Sequence, residues 1–71
     1  MTGKELLRKL RRLARDRDLT FQFDADRGKG DHGTVRFAGR RTILGGLGEI
    51  KKGTLMTMLK DLGLTLDDLR G

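Results

Sequence analysis

The chain has no cysteine, no proline, no tryptophan and no tyrosine, and only three phenylalanines in 71 residues. Without cysteine there are no disulfides and no cysteine-ligated zinc. The fold must stand on packing alone, which suits a reducing compartment, and a cytoplasmic location is the expectation. No apolar run approaches the roughly 18 residues of a membrane-spanning helix, so no membrane partner is expected. The basic N-terminal stretch lacks an apolar core segment, so no secretory signal is expected either. A lone histidine cannot assemble a histidine-based metal site, and no metal is expected. The length allows one domain, residues 1–71. A multi-domain enzyme and a deep cofactor pocket are excluded, and no small-molecule cofactor is expected.

What is present is leucine and positive charge. Thirteen leucines dominate an apolar fraction of 35%, enough for one small core. The formal charge is +6 and the pI is near 10.5. Residues 1–60 carry 15 basic and 7 acidic groups, whereas Asp61, Asp67 and Asp68 outnumber Arg70 in the last eleven. A basic body of this kind meets a polyanion or an acidic protein.

Residues 2–16 read as a helix. Thr2 and Glu5 form a capping-box pattern, and Leu6, Leu7, Leu10, Leu13 and Ala14 make one helical stripe. Residues 19–24 alternate, with Leu19, Phe21 and Phe23 on one side and Thr20, Gln22 and Asp24 on the other. A second alternation has Val35 and Phe37 inward and His32, Thr34 and Arg36 outward. Gly39-Arg40 is expected to make the hairpin turn. A third strand over 41–44 then has Ile43 as its expected core residue. A glycine-rich loop spans 45–53, a second helix 54–62 with Gly63 at its C-terminal cap, and Thr65 to Leu69 make one terminal turn. Met56 and Met58 read as packing residues.

The predicted class is α+β, in the order α-β-β-β-α: a three-stranded antiparallel sheet with two helices on one face. Helices on one side leave the other side of the sheet open. Strand parity assigns Gln22, His32, Thr34 and Arg36 to that open face.

Gly28-Lys29-Gly30-Asp31-His32-Gly33 matches a dinucleotide fingerprint letter for letter. The fingerprint needs a strand before it and a helix after it. Here a strand follows, so the glycines read as turn-makers. Asp24, Asp26 and Asp31 are close enough in sequence to hold magnesium, but turn chemistry explains them more simply. Adjacent strand residues point to opposite faces, which argues against an Asp31–His32 dyad. The phenylalanines all have inward parity, so no aromatic platform for splayed bases is expected. Contact through phosphates and 2′-hydroxyls fits better.

His32 is a candidate proton-transfer group, because imidazole exchanges protons near neutral pH. Attack by an RNA 2′-hydroxyl on its own phosphodiester needs a base, an acid and cations around the phosphorane. One histidine can serve as acid or base, and Lys29 or Arg36 can stabilise the developing charge.

Three segments together resemble the HicA family of bacterial toxins. They are Gly28-Lys29-Gly30-Asp31-His32 opening a strand, Gly39-Arg40-Arg41-Thr42-Ile43 at a hairpin, and Glu49-Ile50-Lys51-Lys52-Gly53-Thr54-Leu55 leading into Met58-Leu59-Lys60-Asp61-Leu62-Gly63-Leu64. The resemblance implies a small double-stranded-RNA-binding-domain-like fold. It also implies an endoribonuclease acting on mRNA, the toxin of a type II toxin–antitoxin system, with His32 catalytic and a HicB-like antitoxin as partner. The expected RNA-binding residues are Lys29, Gly30, Arg36, Arg40, Arg41, Lys51 and Lys52. Two positions depart from the family pattern: Asp31 stands where serine is frequent, and Leu44-Gly45 where many members have proline. A non-catalytic RNA-binding module of the same fold is the alternative.

Overall fold

Local sequence signals decide where the elements begin and end. The computed structural model describes residues 1–26 and 32–70. Its elements are α1 (Gly3–Asp16), β1 (Phe21–Ala25), β2 (Gly33–Phe37), β3 (Arg40–Leu44), α2 (Lys52–Asp61) and α3 (Leu66–Leu69). The expected helix–three-strand–helix order is present, with α3 as the short terminal turn. The sheet is antiparallel in the order β1-β2-β3. Among the described residues, no helix is long and apolar enough to cross a membrane.

At the start of α1 the Thr2 hydroxyl accepts from the Glu5 N–H at 3.1 Å, and the Glu5 carboxylate accepts from the Thr2 N–H at 3.3 Å. This capping box satisfies backbone donors that have no partner inside the helix. Leu6, Leu10 and Ala14 are then buried, with Leu7 and Leu13 half-buried beside them. From the sheet come Val35, Phe37 and Leu44, and from α2 come Leu55, Met58, Leu59 and the following Leu62. Leu64 and Leu69 close the end of the core. Six of these side chains are sealed almost completely: Phe37, Leu6, Leu10, Leu44, Leu59 and Val35. Burying such a side chain is worth about 1.5–3 kcal/mol.

Four expectations are corrected. The β2–β3 turn is Ala38-Gly39, with φ of 52° and 84°, so Arg40 already belongs to β3. Two consecutive positive φ values make the primed turn that matches strand twist, and glycine takes its share without strain. Ile43 is 67% exposed rather than buried. Cross-strand partners share a face, and a two-residue turn pairs Val35 with Thr42 and Thr34 with Ile43. Parity therefore overrides hydrophobicity. Thr42 goes inside, where its hydroxyl donates to the Asp61 carboxylate at 2.9 Å, and Ile43 goes out. Met58 is buried as expected, but Met56 is exposed because it lies off the α2 stripe. The second helix also starts two residues earlier than its spacing suggests. Lys51 caps it with no side-chain bond, so packing of Leu55, Met58 and Leu59 holds this end.

Gly33 sits where the chain crowds most. A Cβ there would strike the Asp24 carbonyl oxygen and lie 2.8 Å from Phe23 Cε1. Only glycine lets the Phe23 ring lie against this strand, and the contact fixes the backbone directly after His32.

The ends of the chain respond to acid. The Arg17 guanidinium donates to Asp68 at 2.6 Å and joins α1 to α3. That bond, followed by the Thr65 N–H, holds the Asp68 carboxyl below the ordinary carboxylate range. The Thr2 backbone and hydroxyl do the same for Glu5. Both groups bind fewer protons folded than unfolded near their ordinary values. Their contribution is thus complete above the ordinary carboxylate pKa and is lost as pH falls through the lowered folded values. The melting temperature is expected to be flat from about pH 7 to 5 and to drop below about pH 4. Asp68→Asn should make that drop shallower, which a pH series of thermal melts by circular dichroism measures.

Candidate functional site

The open face of the sheet is built by alternation. Gln22 and Asp24 face out from β1, Thr34 and Arg36 from β2, and Arg41 and Ile43 from β3. His32 is exposed and immediately precedes β2. Its carbonyl accepts from the Asp26 N–H at 2.7 Å, so the β1–β2 ladder runs on past the assigned strand ends. Antiparallel partners share a face, which places His32 on the same side as Thr34 and Arg36.

Arg36 and Arg41 are direct cross-strand partners. The closed pair at the turn is Phe37 with Arg40, so Arg36/Arg41 falls on a non-hydrogen-bonded position. There the Cα atoms are only about 4.5 Å apart. Two guanidinium groups side by side repel, and an anion between them relieves that repulsion. Asp24 relieves part of it: its Oδ2 lies 3.1 Å from Arg36 Nε, and its Oδ1 accepts from Gln22 Nε2 at 2.6 Å. Both partners of the ion pair are about half exposed, 51% and 45%. Such a pair is worth no more than about 1 kcal/mol. It orients Arg36, whose side chain stays half exposed.

The structure separates the other expected residues. Arg40 lies in the inward row with Thr42 and Leu44 and not with Arg41. A Cβ at Gly63 would meet Arg40 Nε at 3.0 Å and Cζ at 3.1 Å. The guanidinium therefore rests against the C-terminal end of α2, where helix carbonyls favour a cation. Lys51 and Lys52 are exposed at the opposite end of α2. A cavity of about 310 Å³ joins the end of β3 to the first turn of α2, lined by Leu44, Gly45, Glu49, Ile50, Lys51 and Thr54 among others. Because Gly33 pairs with Leu44, His32 lies at this same end of the sheet. Lys29 and Gly30 lie outside the described residues, as does Asp31.

The arrangement thus puts an imidazole and two arginines, one of them oriented by an ion pair, on one open surface, with His32 four residues, about 13 Å, along the strand from Arg36. Asp24 belongs to this site through its bond to Arg36. The sequence signal for it is its outward parity, two residues from Gln22. Among the described residues, no three histidine, aspartate or glutamate side chains gather around one point. The GxGxxG pattern ends in Gly33, which opens a strand and not a helix. The chain matches no protein-family model, no curated protein and no solved structure.

Proposed function

We propose that this chain is an endoribonuclease, the mRNA-cleaving toxin of a type II toxin–antitoxin pair of the HicA kind, held inactive in the cytoplasm by a HicB-like antitoxin. The observation that carries the reading is the position of His32: exposed, at the entry to the middle strand, on the face where Arg36 and Arg41 stand together. The resemblance across the three sequence segments supports the same assignment.

In this reading the RNA lies over the open face with the scissile phosphate between His32 and Arg36 and the next phosphate at Arg41. The 2′-oxygen forms a bond to phosphorus and the bond from phosphorus to the 5′-oxygen breaks. One proton leaves the 2′-hydroxyl and one is delivered to the 5′-oxygen. His32 performs one of these transfers, and Arg36, drawn by Asp24 toward the His32 end of the sheet, stabilises the extra negative charge of the phosphorane. Lys51 and Lys52 reach a further phosphate at the His32 end of the sheet, and Lys29 and Gly30, outside the described residues, are assigned from the sequence. Arg40, turned to the helix side, is a support for α2.

Purified protein is expected to cut a defined RNA into fragments ending in 2′,3′-cyclic phosphate and 5′-hydroxyl, equally well with and without EDTA. Loss of cleavage in EDTA would return the carboxylates as metal ligands. Asp24's hold on Arg36 is the observation that favours the second reading, a non-catalytic RNA-binding module, because it partly neutralises the face. That reading requires salt-sensitive RNA binding with intact RNA throughout, and no growth arrest on induced expression.

Asp24→Asn separates the roles of the face. Releasing Arg36 should tighten RNA binding severalfold and steepen the slope of log affinity against log salt by about one phosphate contact. Folding stability should change by less than about 1 kcal/mol. Filter binding across a salt series and urea unfolding check the two halves of this expectation.

A further inference from the structure

A sheet edge is an array of unpaired backbone groups, and proteins usually cover it or guard it. In the order β1-β2-β3, β3 lies at an edge. The two-residue turn makes Phe37/Arg40 a hydrogen-bonded pair, as it does Val35/Thr42 and Gly33/Leu44. Alternation then turns the N–H and C=O groups of Arg41 and Ile43 away from β2, toward the open edge. Among the described residues, none of the backbone bonds outside the helices and strands takes up these four groups. Ile43 stands on this edge at 67% exposure, the highest of any large hydrophobic residue described. Beside it runs a groove of about 400 Å³ between β3 and α2, with Gly53, Thr54, Thr57 and Met58 on the helix side. Three of those four side chains are small, Gly53, Thr54 and Thr57, so a strand has room to approach.

We propose that the edge of β3 binds an extended segment of an acidic partner protein, which adds a fourth, main-chain-paired strand to the sheet. The proposal goes beyond the ribonuclease reading and does not rest on it. The charge selects the partner. Arg41 stands on the open side of this edge, and the whole chain carries +6. A second copy would put four arginines, Arg40 and Arg41 of each chain, on one ladder between two chains that each carry +6. A nucleic acid phosphate offers acceptors only and leaves the Arg41 and Ile43 carbonyls without donors. An extended peptide presents N–H and C=O in alternation at the right spacing, and this mode of recognition needs only a free edge and pockets for alternate side chains. The groove side takes small or apolar residues, because Asp61 at its end repels another carboxylate. The open side takes Asp or Glu beside Arg41 and an apolar residue beside Ile43.

The test uses the whole chain, ¹⁵N-labelled, and a set of synthetic peptides of about nine residues. They alternate valine or isoleucine with Asp or Glu, and each has a twin N-methylated on alternate amides. Saturable binding is expected, with the largest shifts at the Arg41 and Ile43 amides. The N-methylated twins should bind at least about tenfold more weakly, because they lose main-chain donors at the same charge. Ile43→Pro removes an outward N–H without touching the ladder to β2, and should weaken binding to a similar extent. If that variant does not fold, Ile43→Ser should still give a severalfold loss. Equal binding by parent and N-methylated peptides would reduce the effect to charge attraction and overturn the proposal. So would shifts confined to α1, the absence of saturable binding by every peptide, or a dimer of this chain that occupies the edge.

Discussion

Replacing His32 by alanine is expected to lower cleavage of a defined RNA by about 10²–10⁴-fold, the usual contribution of a positioned general acid or base. The imidazole is exposed and precedes β2, so its removal leaves no cavity. Folding stability should stay within about 0.5 kcal/mol, as for other surface substitutions. RNA affinity should change by less than about threefold, because the arginine pair and the lysines carry the phosphate contacts. A loss of rate at constant binding and constant stability is the signature of a group that acts in the transition state. Arg41→Ala should behave differently. It removes a phosphate contact and should lower affinity and salt dependence together with rate. The histidine variant also serves as its own control for a contaminating nuclease, which would cut equally in both preparations. Equal cleavage by wild type and His32→Ala therefore removes His32 from the mechanism.

Most of the architecture was legible because it rests on local rules. The capping box at Thr2 and Glu5, the leucine stripe of α1 and the alternation around Phe21 and Phe23 each report a short-range constraint. Gly63, at φ of 71°, ends α2 at the expected place. What the residues did not disclose was set by partners distant in sequence. Ile43 looks like a core residue by type, yet pairing with Thr34 puts it outside. The signal was available in the parity of a two-residue turn, since inward Val35 and Phe37 oblige their partners Thr42 and Arg40 to share their face. The same parity moves Arg40 away from Arg41. Adjacent arginines in a strand cannot both face one phosphate, and the one on the helix side finds the end of α2 instead. The partnership of Asp24 with Arg36 was hidden for a related reason. Its two residues are twelve apart, and only the register of β1 against β2 brings them together.

Register depends in turn on the core, and Phe37 is where the two meet. Phe37→Ala is expected to cost about 3–5 kcal/mol, the range for emptying a well-packed aromatic site. The ring is 2% exposed and is the largest of the sealed side chains. Its loss removes apolar burial and leaves a void that leucines on α1 and α2 can only partly fill. A chain of this length has about 4–10 kcal/mol of stability in total, so the variant should lose roughly a third of it or more. Ile43→Ala, in the same sheet, should cost less than about 0.5 kcal/mol because its side chain is already in water. Urea unfolding followed by circular dichroism measures both, and a loss below about 1 kcal/mol for Phe37→Ala would contradict the core described here. The consequence extends to the open face. Phe37 closes the turn with Arg40, and the next pair along the ladder is Arg36 with Arg41. With the ring gone, only the half-buried Phe21 beside it and Arg40 against the end of α2 hold that end of the ladder against the repulsion of the two guanidinium groups. Weakened RNA binding in Phe37→Ala, measured on the fraction that remains folded, is the expected sign that the buried side of the sheet positions the exposed one.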